Sequence, residues 1–175
     1  SDPASGIYYK SVPETCGSCH DEILAGFRKS EHFEHVAKKK NTDEQGPTCV
    51  TCHGSINSSI LDVNSVAEAC ARCHNEKSDN HPENPEKARA ALNRFLSIQR
   101  YYRYIGVRAE PDEAREFFRK MDPQIESLSE IWHTFDLKRI DQATEEVLGR
   151  MKAKREEIRK RTGASGQEPG EGAAH

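Results

Sequence analysis

Three segments of this chain repeat one spacing of sulfur and nitrogen: Cys16-Gly-Ser-Cys19-His20, Cys49-Val-Thr-Cys52-His53 and Cys70-Ala-Arg-Cys73-His74. Two thiols three positions apart, followed at once by an imidazole, suit c-type haem attachment. The thiols add to the vinyl groups of one porphyrin, and the histidine is held beneath the iron as its proximal ligand. The three motifs use all six cysteines. Paired C-x-x-C units also build tetrahedral zinc sites, but zinc takes them two at a time and gives no reason for a histidine after every second cysteine. A thioredoxin-like redox motif needs one such pair at a strand–helix junction, not three in polar surroundings. Three covalently attached haem c groups are therefore expected, on Cys16 and Cys19, Cys49 and Cys52, and Cys70 and Cys73. His20, His53 and His74 are their proximal ligands.

Each iron then needs a group on its distal side. Five histidines remain: His32, His35, His81, His133 and His175. His175 falls in a Gly-rich polar tail and reads as a tag remnant or solvent residue. The two methionines, Met121 and Met151, fit apolar stripes and read as core. Bis-histidine ligation of all three haems is the expectation, with lower potentials than Met/His ligation gives. His133 follows Trp132, and on a continuous helix it stacks with Leu137, Ile140, Thr144 and Val147. With ligands this scarce it reads as distal, reaching from the second half of the chain to a haem in the first. His32 and His35 sit three apart on one helix and compete; helical angle puts His35 nearer the apolar side. His81, in Asp79-Asn80-His81-Pro82, is on composition alone an exposed loop histidine.

The elements that must hold these residues fall into two kinds. Residues 1–15 read as an extended N-terminal segment with Pro3 and Pro13 as breakers. Residues 16–83 form the haem-bearing region, with a helix over 21–39 begun by Ile23, Leu24 and Phe27 and closed electrostatically by Lys38-Lys39-Lys40. A polar turn follows over 41–48, and a single helical turn is expected over 65–71. Residues 84–161 read as a helical region packing on the haems. Asn84 and Pro85 start a first helix, whose apolar residues recur at three- and four-residue steps from Ala88 to Ile105. Gly106 ends it, Pro111 opens a second, and Asp122-Pro123 restarts the chain into a long third helix to about 161. Residues 162–175 read as a disordered tail.

Composition agrees with haem-dependent folding. Of 175 residues, 34% are hydrophobic and 31% charged, which leaves a thin protein-only core. Three porphyrins would supply the missing apolar surface. The fold class is thus mainly α, a haem-cored multihaem cytochrome c with sparse secondary structure in its first half and long C-terminal helices. The formal charge of −3 gives no reason to expect nucleic acid as a partner. No apolar run has the length of a membrane span; a removed leader or membrane anchor stays open. Haem is joined to C-x-x-C-H outside the bacterial cytoplasmic membrane, so the expected location is periplasmic or extracellular.

Several segments together resemble the multihaem cytochrome c group that includes hydroxylamine oxidoreductase and the tetrahaem cytochromes of ammonia oxidisers. They are the first motif followed by Phe27 and Ser30-Glu31-His32, then Pro47-Thr48 leading into the second motif and Gly54, then the third motif followed by His81-Pro82. The likeness spans roughly residues 14–140. It implies that His32, in S-x-H, and His81, in H-P, are distal ligands, and Trp132-His133 resembles distal positions found there too. It favours His32 over His35, which remains the alternative. It also implies closely packed haems forming a short wire. Electron transfer between redox partner proteins is the expected function. The alternatives are a small redox enzyme acting on a nitrogen or sulfur compound at a five-coordinate haem, and a haem-based sensor or assembly subunit. The chain has fewer motifs than its relatives and is shorter than the catalytic ones, which weighs against an enzyme. A homo-oligomer through the long C-terminal helix stays open.

Overall fold

Val12 and Pro13 open the first helix, α1 (Val12–Gly17), with Pro13 in the first turn, where its missing N–H has no intrahelical role. The computed structural model describes residues 2, 5–38, 46–54, 62–78 and 80–163. Among these it contains eight α-helices and no strand. Residues 12–15, read from sequence as extended, therefore belong to a helix: Pro13 starts structure here and does not break it. Pro3, Lys39, Lys40, residues 41–45, Asp79 and the tail from 164, with His175, lie outside the described residues.

The helix expected over 21–39 is two helices, α2 (Asp21–Phe27) and α3 (Glu31–Lys38). Ser30 explains the break. Its buried hydroxyl donates to the Phe27 carbonyl (2.6 Å) and accepts from the Phe33 N–H (3.1 Å), ending one helix and capping the next. Next come α4 (Cys49–His53) and α5 (Val63–Ala71). The latter is longer than the one turn expected because Asp62 caps it, accepting from the N–H groups of Asn64 and Ser65.

Three long helices follow: α6 (Asn84–Arg108), α7 (Pro111–His133) and α8 (Leu137–Thr162). Two sequence expectations fail here. Gly106 lies within α6, which runs on to Arg108. Pro123 does not restart the chain but sits inside α7. A proline interior to a helix loses one hydrogen bond and crowds the preceding turn. The helix persists because Met121 and Leu128, on either side of it, are buried against α6 and α8. The real break comes at residues 134–136, where the Thr134 hydroxyl donates to the Ile131 carbonyl and Asp136 caps α8 by accepting from the Arg139 N–H. His133 is consequently the last residue of α7 and does not share a continuous helix with Leu137, Ile140, Thr144 and Val147.

The protein's apolar core belongs to these three helices. Ile98, Tyr101 and Ile105 of α6, Met121 and Leu128 of α7, and Val147, Leu148, Met151 and Ile158 of α8 form one buried cluster. Met121 is 2% exposed and Met151 fully buried, so both pack the core, as their stripes predict, and neither is available to an iron. The first half holds far less apolar burial, chiefly Val12, Phe27, Val36 and Ala67. Close contacts tie its helices to the long ones and to each other. A Cβ at Gly26 of α2 would lie 2.4 Å from the Glu130 carbonyl oxygen of α7, so α2 and α7 approach backbone to backbone. The carbonyl of Gly46 accepts from the Tyr9 hydroxyl, and a Cβ there would meet the His32 carbonyl oxygen at 2.7 Å. That contact seats the lead into α4 against α3.

Candidate functional site

Each C-x-x-C-H segment forms a single helical turn. In the first, the N–H groups of Cys19 and His20 both donate to the Cys16 carbonyl, and His20 occupies the N-cap of α2. The second is α4 itself, opened by a capping box in which Thr48 and Thr51 satisfy each other's backbone. The third uses the end of α5, with Cys73 and His74 donating to the Cys70 carbonyl. Residues at i, i+3 and i+4 of a helical turn share a face. Each turn therefore presents two thiols and an imidazole to the same side.

The turns also lie next to one another. Helix α1, which carries Cys16, packs on α4, and α4 packs on α5, so that Cys16 acts on the Cys49 thiol and Cys52 on that of Cys70. No disulfide joins any of the six cysteines. Burial pushes the Cys49 thiol up to about 11, with Cys16 adding to the shift, and burial also raises Cys52 and Cys70. A redox-active dithiol has the opposite signature, a lowered thiol pKa. Among the described residues no group of three or more His, Cys, Asp or Glu side chains is arranged to hold a bare metal ion.

Two proximal-type histidines each face a second histidine. The rings of His53 and His133 are 6.1 Å apart between centroids and nearly parallel, at 23°. Those of His32 and His74 are 6.0 Å apart at 48°. Two imidazoles trans to one metal ion, each with a metal–nitrogen bond of about 2 Å, place their centroids about 6 Å apart. Ordinary aromatic packing covers the same range, so the nitrogens discriminate better than the rings. His133 Nδ1 lies 2.6 Å from the Ser129 carbonyl and His74 Nδ1 lies 2.7 Å from the Asn80 carbonyl. A carbonyl only accepts, so Nδ1 carries the proton and Nε2 keeps a free lone pair, as in a metal-binding imidazole whose ring is oriented through its other nitrogen. His32 Nδ1 is buried with no hydrogen-bond partner. Burial, with His74 and His35 nearby, holds His32 down at about 4, and burial also lowers His133. Both rings are neutral at ordinary pH, as ligation requires. This donor set fits an iron porphyrin.

The remaining histidines are placed differently. His35, one turn along α3 from His32, is exposed, with its Cβ against the Gly46 position. His81 stands in a turn with φ +50° and is 65% exposed, its Nδ1 3.7 Å from Glu83. Among the described residues no aromatic ring packs on His20, His35 or His81. The structure thus brings His133 beside His53 and His32 beside His74.

Phe135 was not singled out by the sequence. Its ring lies 4.5 Å from that of His32, 6.3 Å from His133 and 6.2 Å from Phe27, each edge-on. Its φ is +55°, a left-handed conformation that costs a bulky residue about 1–3 kcal/mol. An isolated phenylalanine after a helix gives no periodic signal, so pattern reading passes over it.

Residues 5–84 match the family model described as cytochrome c7 and related cytochrome c. That description differs from the hydroxylamine oxidoreductase group whose segments this chain resembles. Comparison with curated proteins and with solved structures gave no match.

Proposed function

We propose that this chain is a three-haem c-type cytochrome that relays electrons between extracytoplasmic redox proteins, with each iron held by two histidines. Cys16 and Cys19, Cys49 and Cys52, and Cys70 and Cys73 hold the porphyrins, with His20, His53 and His74 on the proximal side. Bound haem supplies one-electron exchange at iron. The chain's own residues supply position and environment. The Ser129 and Asn80 carbonyls orient His133 and His74, and burial keeps His32 and His133 neutral.

The observation that carries this reading is the meeting of His53 with His133 and of His74 with His32, across segments far apart in sequence. It supports His133 as the distal ligand of the second iron and His32 as that of the third. His81 is then the distal ligand left for the first, and His35 is the alternative to His32. The adjacency of all three motifs supports a short wire of neighbouring haems, and the cytochrome c7 match over residues 5–84 supports electron carriage over catalysis. Among the described residues no helix is long and apolar enough to cross a membrane; export to the periplasm or cell exterior follows from where c-type haem is attached.

The test is mass spectrometry joined to electron paramagnetic resonance on protein matured with a c-type haem assembly system. Three added haems and wholly low-spin ferric signals are expected. A colourless product overturns the cofactor assignment, and a high-spin signal that binds cyanide rapidly overturns bis-histidine ligation at that iron.

A further inference from the structure

We infer that Phe135 is a positioning residue shared by two haem sites, setting the orientation of the distal imidazoles of both. The inference rests on the bis-histidine reading above.

His32 and His133 come from different elements, one from α3 and one from the end of α7, and each faces its own partner across about the width of one metal-bound pair. Phe135 lies between them. Its ring meets His32 at 67° and His133 at 81°, so it stands edge-on to both. Phe27 closes another side at 75°. An imidazole bound through Nε2 is free to rotate about the metal–nitrogen bond unless something fixes its plane. His133 has the Ser129 carbonyl for this purpose, whereas His32 Nδ1 has no partner. For His32 the Phe135 edge is the closest ring contact.

The backbone gives an independent reason to read the residue as functional. At φ +55° asparagine or glycine would be the unstrained choice. The left-handed position is one that the end of α7 itself uses: just after the C-cap residue Thr134, the Phe135 N–H donates to the Trp132 carbonyl, and Asp136 then caps α8. Glycine would serve that helix end without strain, so what the turn leaves unexplained is the ring, and what the ring touches is the two histidines and Phe27.

The test removes the ring and relieves the strain together. Phe135→Gly and Phe135→Asn both accept a left-handed backbone; Phe135→Tyr keeps the ring. Holoprotein of each is read by mass for haem number, by electron paramagnetic resonance for axial-ring orientation and by redox titration. In the ringless variants three haems are expected to remain, with two of three low-spin signals and their midpoint potentials shifted and the third unmoved. Phe135→Tyr is expected to match the unaltered protein. Ringless variants with unshifted signals overturn the inference. So does a shift spread evenly over all three haems, or failure of both ringless variants to retain haem, since either marks a purely structural residue. Unaltered protein without low-spin bis-histidine irons overturns the ligation reading itself, and is recognised before any variant is made.

Discussion

A ligand histidine needs one nitrogen with a free lone pair and a ring that cannot turn away, and these demands separate the candidate residues better than sequence position does. His133 meets both through Ser129. Its replacement by alanine is expected to leave three covalent haems and to convert one iron to high spin, read by paramagnetic resonance; an unchanged spectrum would remove it from the ligand set. His32 and His35 make a sharper pair. Helical angle put His35 nearer the apolar face of its helix, while the S-x-H resemblance favoured His32. In the structure the angle is the wrong guide because Ser30 starts a new helix, so the face defined by Ile23, Leu24 and Phe27 does not continue into α3. His32→Ala is expected to produce a high-spin iron, whereas His35→Ala leaves the signals low-spin. At this scale the cysteine motifs were fully legible, since their chemistry lies in adjacent residues. Phe135 was not, because its role depends on rings brought together from α2, α3 and α7.

The helices are held to one another by a few specific contacts, and those contacts decide where the histidines meet. Gly26 is the closest approach of α2 to α7. In Gly26→Ala the added carbon would fall on the Glu130 backbone, and overpacking of this kind costs about 1–3 kcal/mol. A lower melting temperature is expected, together with a disturbed iron signal at the His133 site, because the same helix ends in that ligand. The α7–α8 contact is ionic. Glu113 caps α7, accepts from Lys154 of α8 at 2.6 Å, and pairs with Arg161 at 2.8 Å. Lys154 and Glu113 are only 13% and 20% exposed. These partners hold the carboxyl down at about 2 from an ordinary value of 4.5. A depressed carboxyl stabilises fully above its unfolded pKa and loses that stabilisation as pH falls towards its folded value. Glu113→Gln is therefore expected to cost about 2 kcal/mol near neutrality and to flatten the fall of melting temperature between about pH 4.5 and 2. Both long-helix boundaries misread from sequence have a tertiary cause. Gly106 and Pro123 are breakers only where nothing else holds the helix, and burial around Ile105 and Met121 does so here. The true boundary at 134–136 was hidden because Thr134, Phe135 and Asp136 make it, with no Gly or Pro to mark it.

At the level of the whole molecule, apolar burial concentrates in the second half of the chain, and the candidate cofactor ligands, His133 apart, in the first. The long helices bury a continuous cluster of aliphatic and aromatic side chains, each worth about 1.5–3 kcal/mol when fully removed from water. The helices of the first half are 6, 7, 8, 5 and 9 residues long, lengths at which an isolated helix is not stable in water. Their buried side chains are few, and the faces they present are thiols and imidazoles. Without porphyrin to fill the space between those faces, the entropy of ordering this half has little burial to offset it. Replacing all six cysteines by alanine in the full chain should therefore unfold the two parts unequally. The expected product keeps hydrogen-exchange protection in α6, α7 and the middle of α8, loses it in α1 to α5, and shows a far-UV helix signal reduced only by the short helices. Protection spread over α1 to α5 in haem-free protein would show that the first half folds on side-chain packing alone, and the porphyrins would then be passengers in a preformed scaffold. Loss of protection throughout would show instead that α2 on α7, at the Gly26 contact, carries enough of the stability for the helical half to depend on haem as well.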